Sequence, residues 1–72
     1  MKVRYDVDVW SRGGNHSMRF TDQREAFELA KKCAAQDATT VFMVKYVWDE
    51  KGAIKIAGTV EVKADGTFVK VN

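Results

Sequence analysis

Proline is absent from this chain of 72 residues, and histidine and cysteine occur once each. A lone cysteine, Cys33, cannot build an internal disulfide framework. An intracellular, reducing compartment is therefore the simpler expectation, with the cytoplasm as the location. A lone histidine, His16, excludes a metal site built on a histidine pair. No apolar run approaches the ~20 residues needed to span a membrane. A large excess of one charge is missing too. Lys and Arg total 12 and Asp and Glu total 10, leaving a net charge of +2. That is too little to argue for nucleic acid from charge alone. The start, Met1-Lys2-Val3-Arg4, leads straight into a strand pattern, so no signal peptide is expected.

What remains is ordinary globular composition, 46% hydrophobic and 31% charged, with no low-complexity segment. The length implies one compact domain over residues 1–72. A domain this small buries only about 60% of the surface its unfolded chain exposes. Spare apolar residues on a second face therefore need an explanation.

Periodicity supplies the elements. In Lys2 to Trp10, Val3, Tyr5, Val7 and Val9 alternate with Lys2, Arg4, Asp6, Asp8 and Trp10, which predicts a half-buried strand. Trp10 is the exception, a large aromatic among charges. Ser11 to Asn15 is rich in turn formers, and its two glycines permit positive φ. His16 to Phe20 resumes the alternation, so the pair reads as a β-hairpin. Thr21 and Asp22 can each cap a helix, and with Asp22 as the cap Glu25 is positioned to reach back as in a capping box. The helix carries a stripe of Ala26, Phe27, Leu29, Ala30, Cys33 and Ala34. Most of that stripe is small, so the helix is expected to lie close on a sheet. Asp37-Ala38 should end it. Thr39 to Trp48 is nearly continuous apolar, as in a central strand. A turn at residues 49–52 leads to Ala53 to Lys63, where Ile54, Ile56, Val60 and Val62 are expected inward. Ala64-Asp65-Gly66 predicts a tight turn, and Thr67 to Val71 a last short strand.

The order is ββαβββ, and the chain is expected to be an α+β domain. One helix packs on a five-stranded antiparallel sheet, in the order 2-1-3-4-5, because a helix returning to the start lets the third strand pair with the first. One sheet face stays uncovered. With Phe42, Val44, Tyr46 and Trp48 taken as inward, alternation gives that face Val41, Met43, Lys45 and Val47. It also receives Lys55, Ala57, Thr59 and Glu61, then Phe68 and Lys70. Together with Lys2, Arg4, Asp6, Asp8, Trp10, Ser17 and Arg19, the expected balance is about +3. A mixed aromatic, aliphatic and basic surface suits a protein interface. It also offers rings and cations to single-stranded nucleic acid. The plainer alternatives are cross-strand pairs that only stabilise the sheet and a homodimer through the open face.

Catalytic chemistry finds no foothold. Cys33 lies on the apolar stripe and reads as a small core residue rather than a reactive thiol. Asp6 and Asp8 are placed for salt bridges with Arg4, Arg19 or Lys45. Ser11 and Ser17 sit in no nucleophile elbow. Gly13-Gly14 lacks the rest of a phosphate loop. His16 reads as a solvated loop residue rather than a pH-sensitive contact. No enzyme activity, cofactor or metal is expected.

The short proline-free chain, the ββαβββ order, the Ala-rich "AFELAKKCAA" helix and the basic and aromatic sheet face resemble certain anti-CRISPR proteins of phages and mobile elements. The resemblance implies a non-enzymatic inhibitor in the host cytoplasm. Such a protein binds a CRISPR effector complex and blocks target-DNA access. The expected partner-binding residues are Trp10, Arg12, His16, Arg19, Arg4, Lys45, Phe68 and Lys70. The alternatives are a single-stranded nucleic-acid-binding module and a homodimerising structural or adaptor protein.

Overall fold

The computed structural model describes residues 2–36 and 38–71. Among these residues the elements are β1 (Lys2–Ser11), β2 (Gly14–Phe20), α1 (Gln23–Ala34), β3 (Thr40–Trp48), β4 (Ile54–Val62) and β5 (Phe68–Lys70). The five strands form one antiparallel sheet in the order β2-β1-β3-β4-β5. The helix packs on one face of it. This is the α+β architecture that the periodicity predicts.

Local chemistry sets the boundaries. At the β1–β2 hairpin Ser11 pairs with Gly14, so Arg12-Gly13 form the bend. Gly14 takes φ 119°, a value that favours a residue without Cβ. Asp22 caps α1 as expected, its Oδ1 accepting from the Arg24 backbone N–H at 2.9 Å. Asp37, expected to end the helix with Ala38, lies outside the described residues. The helix closes on Ala35 in a right-handed conformation, and Ala38, further along the connection to β3, takes the left-handed φ of 54°. In the β3–β4 turn Asp49 Oδ1 accepts from the backbone N–H groups of Lys51 and Ala53, each at 2.9 Å. In the β4–β5 turn Asp65 Oδ1 accepts from the Thr67 N–H at 2.9 Å and the Thr67 hydroxyl at 2.6 Å. The Thr67 hydroxyl and N–H hold the Asp65 carboxyl below its ordinary pKa.

The core lies between α1 and the middle of the sheet. Val7, Val41, Ala26 and Ala30 are all fully buried, and Val62 is nearly so. Alanines at the helix contact let the backbone approach, and valine-sized residues fill the space beneath. Around them Met18, Phe20, Phe27, Cys33, Met43 and Val60 are partly buried and packed on the cluster. Cys33 is thus a core-side residue, free of any disulfide.

Two expected outcomes follow from this packing. Ala30→Leu forces extra methylenes into the helix–sheet contact and should cost about 1–3 kcal/mol, read as a lower urea midpoint at unchanged slope. Because the folded-state pKa of Asp65 is lowered, its contribution is present above the unfolded value and fades as pH falls through the folded one. Asp65→Asn should therefore lower the melting temperature at pH 7 and make a much smaller difference near pH 2. An equal difference at both pH values contradicts that account.

Candidate functional site

Residues opposite one another in an antiparallel pair share a face, so the register assigns the open side directly. Asp6 pairs with Arg19 and Val44, Asp8 with Ser17 and Phe42, Arg4 with Tyr46, and Lys2 with Trp48. The open face of β3 therefore carries Phe42, Val44, Tyr46 and Trp48. These are the four residues expected inward. Val41, Met43, Lys45 and Val47 lie opposite Val9, Val7, Tyr5 and Val3 on the helix side. A run that is apolar at both parities carries no face signal of its own, and packing decides. Beneath Ala26 and Ala30 there is room for Val41, and the large aromatic rings are left on the other side.

β4 and β5 also present other faces than alternation predicts. The pairing of β3 with β4 shifts by one residue between Lys45 and Tyr46, so that Lys45 faces Gly58 but Tyr46 faces Ile56. Ala57 is the extra residue of this bulge. An inserted residue reverses every side chain beyond it. Ile54 and Ile56, expected inward, thus join Trp48 and Tyr46 on the open face, and Lys55 goes to the helix side. Val60 and Val62 stay inward as expected. On β5, Phe68 pairs with Val62 and Lys70 with Val60, so both leave the open face to which alternation had assigned them. The ring of Phe68 packs edge-on against Phe27 of α1, centroids 6.2 Å apart. That contact supplies the reason for the reversal. Val69, opposite Glu61, takes the open side instead.

The surface that results differs in charge from the expected one. Its strand residues comprise three cations (Lys2, Arg4, Arg19) and three anions (Asp6, Asp8, Glu61), a balance of zero rather than +3. It is also more apolar. Among the described residues, six large apolar side chains are exposed: Trp10, Ile54, Ile56, Phe68, Val69 and Val71. All but Phe68 belong to the strands' open side, Val71 by following Val69 with its N–H bonded to the Thr59 carbonyl at 2.9 Å.

At one end of this face four side chains form a stacked group. The Arg4 guanidinium lies 4.6 Å from the Tyr46 ring centroid and 5.4 Å from that of Trp48. Lys2 Nζ lies 5.2 Å from Trp48. Asp6 anchors the arginine, with Arg4 Nε 2.9 Å from Oδ1 and Nη2 donating to Oδ2 at 3.3 Å. The first contact is ionic in distance without hydrogen-bond alignment, and Nε and Oδ1 have no other partner. Asp6 is 8% exposed, and among the described residues it is the one buried charge. Of the salt bridges expected for Asp6 and Asp8 with Arg4, Arg19 or Lys45, the one between Asp6 and Arg4 is present among the described residues. Asp8 instead accepts from the Ser17 hydroxyl at 2.6 Å.

The other expected site residues are dispersed. Trp10 is exposed at the far end of the open face, opposite Asn15 and Thr40. Arg19 shares that face but pairs with Asp6, four residues from Trp10, or about 13 Å along the strand. His16 is exposed on the helix side, opposite Val9. Arg12 sits in the hairpin bend and lines a shallow hollow with Gln36, Ala38 and Thr39. The open face therefore unites Arg4, Arg19 and Trp10 from the expected set. It excludes His16, Lys45, Phe68 and Lys70. Tyr46, Trp48, Ile54, Ile56 and Val69 were missed. Gly58 within a strand pattern was the available signal for the bulge. Nothing comparable marks the orientation of β3.

Among the described residues no group of three or more His, Cys, Asp or Glu is arranged to hold a metal ion, and no helix is long and apolar enough to cross a membrane. No family model, curated protein or solved structure matches the chain.

The Arg4–Asp6 pair is the structural keystone of the face. Asp6→Ala leaves a largely buried guanidinium without its anion and should destabilise the fold by about 1–3 kcal/mol. Asp8→Ala, which removes a more exposed contact, should cost less than about 1 kcal/mol. Urea unfolding of the two variants side by side checks the order.

Proposed function

We propose that this chain is a non-enzymatic protein-binding inhibitor whose interface is the open sheet face. The observation that carries the reading is the combination of exposed apolar side chains with a charge balance of zero. Aromatic residues and arginine are the types enriched at protein interfaces and at their energetic hot spots. Here Arg4, Tyr46, Trp48 and Trp10 share one face. The area around them is rimmed by Lys2, Arg19, Glu61 and Ser17, which can supply polar contacts at the edge.

The same observation disfavours nucleic acid as the ligand. Phosphate binding draws on unbalanced cations; on this face Asp6 is paired with Arg4 and Glu61 with Lys63, and the strand residues carry as many anions as cations. The Tyr46 and Trp48 rings, moreover, already lie under the chain's own cations. The size and the ββαβββ order support the anti-CRISPR kind of inhibitor as the particular form. The partner is then a CRISPR effector complex whose DNA path the chain obstructs.

The test is inhibition of target-DNA binding by purified, guide-loaded effector complexes. Wild-type chain should inhibit at least one effector type. Trp10→Ala combined with Arg19→Ala, or Trp48→Ala alone, should weaken inhibition about 30-fold or more, as expected for a hot spot of 2 kcal/mol. Circular dichroism should show the fold retained. Full inhibition by both variants overturns the assignment of the face, and inhibition of no effector overturns the anti-CRISPR form. Binding to single-stranded DNA or RNA at low salt, weakening steeply as salt rises, favours the nucleic-acid alternative instead.

A further inference from the structure

The sheet does not end evenly on its β5 side. β5 covers β4 only at Val60–Val62, and the Val71 N–H extends the cover to the Thr59 carbonyl. The stretch from Ile54 to Ala57 has β3 on one side and, among the described residues, no strand on the other, and each of its residues is exposed. Its backbone direction follows from the hairpin. The Asp49 N–H donates to the Ala53 carbonyl at 3.0 Å, and antiparallel pairs alternate between bonded and non-bonded. Lys55 therefore turns its backbone groups toward Val47 of β3, and Ile54 and Ile56 turn theirs outward. Such a row of unpaired donors and acceptors is a template for another strand.

The side chains along this edge are two-sided. Ile54 and Ile56 extend the Tyr46 and Trp48 rows on the open face. Lys55 lies on the helix side, where Lys45 faces Gly58 and Lys70 faces Val60. Among the described residues none of these three lysines has an ion pair. A strand added here in antiparallel register sets one of its residues directly opposite Lys55, between two that exchange backbone bonds with Ile54 and Ile56. If the added strand is a second copy of β4 in that register, Lys55 meets Lys55, and like charges directly opposite are destabilising. The complementary occupant has an acidic residue at that place and apolar residues on either side.

We propose that the outer edge of β4 at Ile54–Ala57 docks an extended segment of a protein partner with the pattern apolar–acidic–apolar. The flanking apolar side chains join the open face beside Ile54 and Ile56. The carboxylate faces Lys55, with Lys45 nearby on the same side. The proposal deepens the reading of the chain as a protein-binding module and rests on it. It adds a recognition mode, strand addition, and a residue, Lys55, that sets its charge preference.

The probe is a capped peptide of alternating threonine and valine with one central glutamate, compared with the same peptide carrying lysine there. Amide hydrogen exchange and NMR titration of the isolated chain provide the readout. The glutamate peptide should slow exchange of the Ile54 and Ile56 amides at least tenfold and bind at least tenfold tighter than the lysine peptide. Lys55→Glu, a change at an exposed position, should reverse the preference. The edge proposal is overturned if both peptides bind alike, if protection falls elsewhere, or if charge reversal at Lys55 has no effect. It is also overturned if sedimentation shows a dimer in which those two amides are already protected. Because the peptide assay needs no effector, its failure is distinct from failure of the inhibitor reading, which the Trp10 and Trp48 variants decide.

Discussion

The close seating of α1 on the sheet governs the rest of the molecule. Ala26 and Ala30 meet a layer built from Val7, Val41 and Val62, all buried from solvent. Small residues on the helix bring its backbone near the strands, and only valine-sized partners fit beneath. This one contact selects which side of β3 turns inward. Once Val41 is inside, Phe42, Val44, Tyr46 and Trp48 must be outside, since successive side chains alternate. The make-up of the open face is thus a consequence of core packing, set by the size of the residues under the helix.

The bulge then decides how far the apolar surface reaches. Were Ala57 a regular ladder residue instead of a bulge, strict alternation would put Ile54 and Ile56 on the same side as Val60 and Val62. With the bulge, they fall beside Tyr46 and Trp48. The helix packs over the other end of β3, near Val41, and leaves this end of the sheet free on the side of Lys45 and Lys55. The outcome is a projecting end with aromatic and aliphatic residues on one side and lysines on the other. The 41 Å long axis against 23 and 21 Å in the other directions reflects this extension.

How much of this was legible in the residues depends on whether one pattern had a single solution. β1 alternates apolar and charged residues strictly, so its faces and its partner strands could be read in advance, while Arg4 was one of three cations open to its carboxylates. The helix start at Thr21-Asp22 and the alanine stripe of α1 were equally legible, and with them the order of the five strands. β3 was different, because both of its faces are apolar and a continuous apolar run fits either orientation. The same ambiguity misplaced Phe68, which in Thr67 to Val71 stood against Val69 and Val71 as the inward pair, whereas the Phe27 ring fixes its side. Lys45 and Lys70 moved with their neighbours. The candidate site was therefore legible where charge marked a face, at Arg4, Asp6, Trp10 and Arg19, and obscure where only shape could choose.

The retained end of the face has a property that bears on binding. Arg4 is held by Asp6 on one side and lies over Tyr46 and Trp48 on the other. A long cationic side chain usually gives up rotamer freedom when it enters an interface, at about 0.5–1.5 kcal/mol. Here most of that ordering is already done within the free protein. The two rings are likewise fixed, each half-buried, and Lys2 covers part of Trp48. In the free chain these cations keep the aromatic row in contact with charge and water, which limits adventitious association through the face. A partner that docks there meets rigid rings and a positioned guanidinium. Its binding energy then depends on matching a preformed shape, and a face of that kind discriminates among partners by fit more than by net charge.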